Sequence, residues 1–126
     1  MESSYVWAGH GRFGLLANLA LAVTIEGFKE ALVLGESQGL SEEQVVDMLG
    51  STGLEFNVSM KSPFLLGERF TSPGDFTADA IAKDARLMLA SSDQDLPAVS
   101  AALASLEAQQ DAGRGDEDFS TVVVNR

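Results

Sequence analysis

One stretch limits what this chain can fold into. It is led in by Gly9, Gly11 and Gly14, is apolar from Leu15 to Ile25, and continues to Gly39. Leu15, Leu16, Leu19, Leu21, Val23 and Ile25 cannot share one narrow stripe of a helix. A helix that is apolar on nearly all sides is buried rather than laid on a surface. The stretch therefore predicts one long helix as the axis of an all-α domain. Asn18 and Thr24 interrupt the run and Glu26 ends it, well short of the roughly 20 apolar residues that a membrane span needs.

Composition narrows the function classes. With 126 residues and 45% hydrophobic content, residues 1–126 make one domain with a real core. The formal net charge of −11 argues against nucleic acid or an anionic membrane as a partner, since both need basic patches. No cysteine is present, which excludes a disulfide framework and a thiolate metal site. The single histidine, His10, rules out a multi-histidine metal site in one chain, and no metal is expected. The first residues, MESSYVWAGHG, have neither a basic region nor an apolar core like a signal peptide, so a cytoplasmic chain is the expectation.

Read in order, Tyr5 to Ala8 suits a short extended piece. Gly9 to Gly14 fits G-x-G-x-x-G, the dinucleotide fingerprint. That fingerprint needs a strand before it and a parallel sheet after it, and no strand rhythm follows Gly39. The glycines read instead as the lead-in to a helix. Leu21, Ile25, Phe28 and Leu32 mark its core stripe, Gly27 and Gly35 allow close approach of a neighbour, and Gly39 ends it. Ser41 and Gln44 form a capping box for a short second helix that buries Val45, Val46 and Leu49 and ends near Gly50. Leu54–Lys61 reads as a helix carrying Leu54, Phe56, Val58 and Met60, and Ser62-Pro63 as the start of a further turn. Gly67–Gly74 is a loop. Thr77–Ala90 is a helix with Ile81, Ala85 and Met88 inward. Pro97 opens another, with Val99, Leu103 and Leu106, and Gly113-Arg114-Gly115 closes it. Asp116-Glu117-Asp118 suits an acidic start to a last helical turn.

These stretches together resemble the C-terminal all-α domain of the β-hydroxyacid dehydrogenase family, which includes 3-hydroxyisobutyrate dehydrogenase, with the imine reductases as distant cousins. The resemblance rests on Glu30-Ala31-Leu32-Val33-Leu34-Gly35-Glu36 with Gly39-Leu40, on Phe76 with Lys83-Asp84-Ala85-Arg86-Leu87, on Leu96-Pro97, and on Gly113–Ser120, GRGDEDFS. It covers residues 9 to about 123. It implies a substrate cleft closed against a Rossmann domain that binds NAD or NADP, and a dimer. It also implies a general acid–base lysine near the start of the long helix, an asparagine one turn later for the substrate, and a later lysine near substrate and cofactor. Asn18 matches the asparagine and Lys83 the later lysine, which would touch a cofactor only with a Rossmann partner. The acid–base lysine is missing: Gly14 stands in its place when Asn18 sets the register, and Leu15 when Gly9 and Gly11 do.

Other residues have plainer readings. Asn18 is either a ligand contact or a helix–helix hydrogen bond in a dimer core. Lys29 pairs with Glu26 on a solvated face. His10 is an exposed side chain, Tyr5 and Trp7 are aromatic anchors, and the acidic triplet is a helix cap rather than a cation site. No Rossmann domain is expected within these residues, and NAD(P) would require a separate Rossmann subunit. The bare flank of the long helix predicts a homodimer. Three functions remain: a free-standing domain that binds a small molecule in the remnant cleft, with or without non-redox catalysis; the substrate half of an NAD(P)-dependent oxidoreductase; and a non-catalytic dimerisation module. The start at Met1 favours the free-standing chain.

Overall fold

A computed structural model describes residues 11–126, with side chains from Gly14 onward. The expectations for Tyr5, Trp7 and His10, and for the first glycine of the lead-in, fall outside the described residues. Six helices follow in order: α1 (Gly11–Ser37), α2 (Glu42–Gly50), α3 (Glu55–Leu65), α4 (Ala78–Ser91), α5 (Pro97–Asp111) and α6 (Thr121–Val124). The fold is all-α. Among the described residues the only sheet-like pairing is an isolated antiparallel bridge between Thr77 and Asp118. None of these helices is long and apolar enough to cross a membrane.

α1 is the axis. It packs against α2, α4, α5 and α6. Ile25, Phe28 and Leu32 are buried on its core stripe, while Leu21 is half-buried. The helix is not buried on all sides, however. Leu16 is 65% and Leu34 64% exposed, because the bundle wraps only part of its girth. Gly39 ends the helix with φ +78°, a conformation that suits glycine. Gly35 lets α2 close in, since a Cβ there would strike Val45. Gly27 has no such neighbour within the chain: a Cβ there would meet no atom within 4 Å.

α2 starts as its sequence predicts. Gln44 N donates to Ser41 Oγ at 3.1 Å, and Ser41 N donates to Gln44 Oε1 at 2.8 Å. α3 differs from expectation, because it runs through Pro63 as a single helix. Proline forfeits one donor, but Pro63 lies two residues from the end of the helix. Its carbonyl accepts from Glu68 N and Arg69 N, and buried Phe64 and Leu65 hold the turn to the core. α4 is capped by Thr77, whose hydroxyl accepts from Ala80 N at 3.1 Å.

The segment before α4 and the segment before α6 are zipped together. Asp118 N donates to Thr71 O at 2.8 Å, Phe119 N to Phe76 O at 2.9 Å, and Ala78 N to Glu117 O at 2.9 Å. Gly74 sits against this seam, where a Cβ would lie 2.6 Å from Asp118 N. Buried Gln109 locks the far side. Its carbonyl accepts from Arg114 Nε at 2.7 Å and Thr121 Oγ1 at 3.2 Å, and its amide donates to Asn125 O at 3.1 Å.

A methyl at Gly35 must push α2 away from α1, since Val45 is buried with little room to move. Gly35→Ala is expected to lower stability by roughly 1–3 kcal/mol, as overpacking does. Gly27→Ala is expected to be neutral or stabilising, by up to about 1 kcal/mol. Urea unfolding of the two variants in parallel checks the contrast.

Candidate functional site

Two places on α1 carry polar chemistry. The first is its amino end. Gly14 is buried and contributes no side chain. One turn on, Asn18 is 6% exposed and donates through Nδ2 to Asp84 Oδ2 of α4. One partner of this buried amide is therefore within the chain. Lys83, adjacent on α4, is exposed and makes no hydrogen bond or ion pair among the described residues. Neighbours on a helix point about 100° apart, so Asp84 meets α1 while Lys83 faces solvent. Asn18 and Lys83 thus flank one helix–helix contact without lining a common cavity. Leu15 lies in an open groove with Leu16, Leu19, Met88 and Leu96.

Further along the same face, Lys29 departs from its expected place. It is half-buried and donates to Ser105 Oγ of α5 at 3.0 Å rather than pairing with Glu26. The reason is angular. Eleven residues at about 100° each bring Lys29 within roughly 20° of Asn18, so it points into the bundle. Glu26 is left with Oε1 buried and without a hydrogen-bond partner among the described residues.

The second place is a cavity of about 180 Å³ between α1, α3 and the zipped seam. Its floor is Ile25, Phe28, Phe76 and Phe119, with the last two rings edge-to-face at 5.5 Å. Leu21 walls it, and the exposed side chains of Phe56 and Met60 form its rim. Three polar groups reach it: Thr24, Asn57 and Lys61.

Lys61 is the residue that sequence reasoning missed. Its Nζ donates to both oxygens of Asp118, at 3.0 and 3.2 Å, and stands 4.1 Å from the centre of the Phe119 ring and 5.1 Å from that of Phe64. Asp118 is 3% exposed, and its Oδ2 also accepts from Ser120 N at 2.9 Å. The aspartate is thus the buried end of an ion pair as well as the cap of the turn into α6, and α6 itself begins only at Thr121. Asp116 and Glu117 stay in the preceding turn. No group of three acidic or histidine side chains among the described residues is arranged to hold a metal ion. The GRGDEDFS run, which carries Asp118, was the only sequence signal for this pair.

A family model described as NAD-binding of NADP-dependent 3-hydroxyisobutyrate dehydrogenase matches residues 12–125. The chain belongs to this β-hydroxyacid dehydrogenase family. Glyoxylate/succinic semialdehyde reductase 1 of Arabidopsis thaliana is 30% identical over 119 residues, which are 91% of this chain and 41% of that protein. Among solved structures, Psf3 in complex with NADP+ and 2-OPP superposes with a TM-score of 0.69 at 20% identity, over 89% of this chain and 40% of that one. At that identity the likeness speaks for the fold alone. This family member spans about two fifths of the length of both relatives.

The ion pair makes a stability prediction for the family member. Removing one partner of a buried pair strands the other charge, so Lys61→Met is expected to cost roughly 3–5 kcal/mol. Lys61→Met combined with Asp118→Leu is expected to recover part of that loss, limited by the Ser120 N–H that then loses its acceptor. Chemical denaturation of the two single variants and the double variant closes the cycle.

Proposed function

We propose that this chain is a self-pairing helical domain that contributes one wall of a site for a small carbonyl compound, and that it does not itself supply the proton-transferring group of a dehydrogenase. The observation that carries this reading is the sequence at the amino end of α1. Gly14 stands where the family resemblance calls for an acid–base lysine when Asn18 sets the register, and Leu15 stands there when Gly9 and Gly11 do. Neither residue has a group that can give or take a proton there. Lys29, the first lysine of the chain, is engaged by Ser105, and Lys61 is engaged by Asp118.

A second reading is favoured by the relatives. Both are more than twice the length of this chain; one is named as a reductase of glyoxylate and succinic semialdehyde, and the other was solved with NADP+. In that reading the chain is the substrate half of an NAD(P)-dependent oxidoreductase. The nucleotide is then held by a nucleotide-binding domain, Asn18 and Lys83 face the substrate, and Lys83 lies close to the cofactor.

Pairing is supported by the bare face of α1. Leu16, Ala20, Val23, Gly27, Ala31 and Leu34 fall on one stripe along the helix, with a leucine at each end and Gly27 near the middle. A second α1 laid antiparallel on this line sets Leu16 against Leu34 and Ala20 against Ala31, with Gly27 near the crossing. Such a contact is self-complementary, as a two-fold interface requires.

Two measurements test these statements. Sedimentation velocity is expected to give a dimer that Leu16→Glu with Leu34→Glu converts to a monomer of unchanged helicity; a wild-type monomer refutes the pairing. NADPH oxidation is then followed with glyoxylate or succinic semialdehyde, using the chain mixed with a family nucleotide-binding domain. No turnover is expected from the wild type, and Gly14→Lys is expected to raise activity above background. Turnover by the wild type establishes the second reading instead.

A further inference from the structure

We propose that the cavity between α1 and α3 binds a compact molecule with one ring or a branched aliphatic body and a single uncharged oxygen acceptor, such as a ketone or amide carbonyl. The acceptor oxygen takes a hydrogen bond from Lys61 Nζ.

Size sets the body of the ligand. An apolar cavity of about 150 Å³ holds benzene. At about 180 Å³ this one has room for a single ring with a small substituent. The floor is aromatic: Phe28 and Phe119 are buried, and Phe76 meets Phe119 edge-to-face. Such a surface favours a ring or a branched hydrocarbon over a flexible polar chain.

Polar groups set the head of the ligand. An ammonium carries three donors, and Lys61 spends two of them on Asp118. No third oxygen accepts from it among the described residues. Neither the Thr24 hydroxyl nor the Asn57 amide has a side-chain hydrogen-bond partner among the described residues. An apolar pocket with a few convergent unpaired polar groups is what a small-molecule site looks like.

Charge decides between an uncharged head and an anionic one. The positive charge of Lys61 is already matched by Asp118 at 3.0 Å. A carboxylate beside Lys61 would bring a second negative charge close to Asp118 and would have to shed its water in an apolar cavity. A carbonyl avoids both costs. Its binding here is reversible and non-covalent.

The site does not rest on the pairing of α1 or on the chemistry at Gly14, because none of Gly14, Leu16, Asn18, Leu34 or Lys83 lines it. The test is a ¹H–¹⁵N NMR titration of the 126-residue chain with acetophenone, benzamide and benzoate. Saturable shifts centred on the amides of Leu21, Thr24, Asn57 and Phe76 are expected for the first two probes. Benzoate is expected to bind about tenfold or more weakly. Met60→Trp, a change at the exposed rim that fills the mouth with a larger ring, is expected to weaken acetophenone binding about tenfold while leaving the unfolding midpoint in place. Thr24→Val and Lys61→Arg, which keep volume and charge respectively, are each expected to shift the affinity. Leu16→Glu with Leu34→Glu is expected to leave it unchanged. The proposal is overturned by shifts that do not saturate, by shifts centred elsewhere, by benzoate binding as tightly as acetophenone, or by undiminished affinity in Met60→Trp. It is also overturned if the cavity amides move with protein concentration instead of probe, because a second copy then fills the space.

Discussion

The contact between Lys61 and Asp118 joins three parts of the chain that no helix connects. Lys61 comes from α3, Asp118 from the turn before α6, and the backbone N–H of Asp118 reaches Thr71 in the loop before α4. The aspartate is almost wholly enclosed, so its charge has no water to fall back on. An isolated carboxylate in such a place is untenable; paired with Lys61 and capped by Ser120 N–H it becomes a fixed point. Phe64 and Phe119 then pack around the ammonium, and Phe119 brings Phe76 with it. Two of the four floor residues of the cavity, Phe76 and Phe119, are thus packed beside this ion pair.

How much of this was legible in the sequence depended on distance along the chain. The capping box of Ser41 and Gln44 spans three residues, and the Gly39 terminator sits at the end of its own helix. Both could be read because the physics is local. The core stripe of α1 was legible for the same reason: Ile25, Phe28 and Leu32 repeat at the helical period. Lys61 and Asp118 are 57 positions apart, and Asn18 and Asp84 are 66 apart. No propensity or periodicity connects such pairs, so neither the Asn18–Asp84 contact nor the role of Lys61 could be read from the sequence. Pro63 misled for a different reason. Its local penalty is real, but two buried side chains beyond it outweigh one lost hydrogen bond. Lys29 was misplaced because its charge was given more weight than its angle on the helix.

The candidate site was legible in part. The family resemblance picked out the amino end of α1 and the Lys83-Asp84 pair, and the described geometry brings α1 and α4 together there through Asn18 and Asp84. The cavity one to three turns further along was not legible, because its walls come from α1, α3 and two loop phenylalanines that only the closed seam makes neighbours. A residue type such as Phe76 or Phe119 looks like ordinary core until the space in front of it is seen to be empty.

The exposed line on α1 has an electrostatic corollary. Each chain carries a formal charge of −11, so two copies approaching along that line repel one another before any apolar surface is covered. The Debye length is about 30 Å at 0.01 M salt and about 8 Å at 0.15 M. The self-pairing proposed for α1 should therefore strengthen as salt is added, the reverse of the salt response of contacts built on ion pairs. A protein that is monomeric in dilute buffer and paired at the ionic strength of a cell would be behaving as its surface charge dictates.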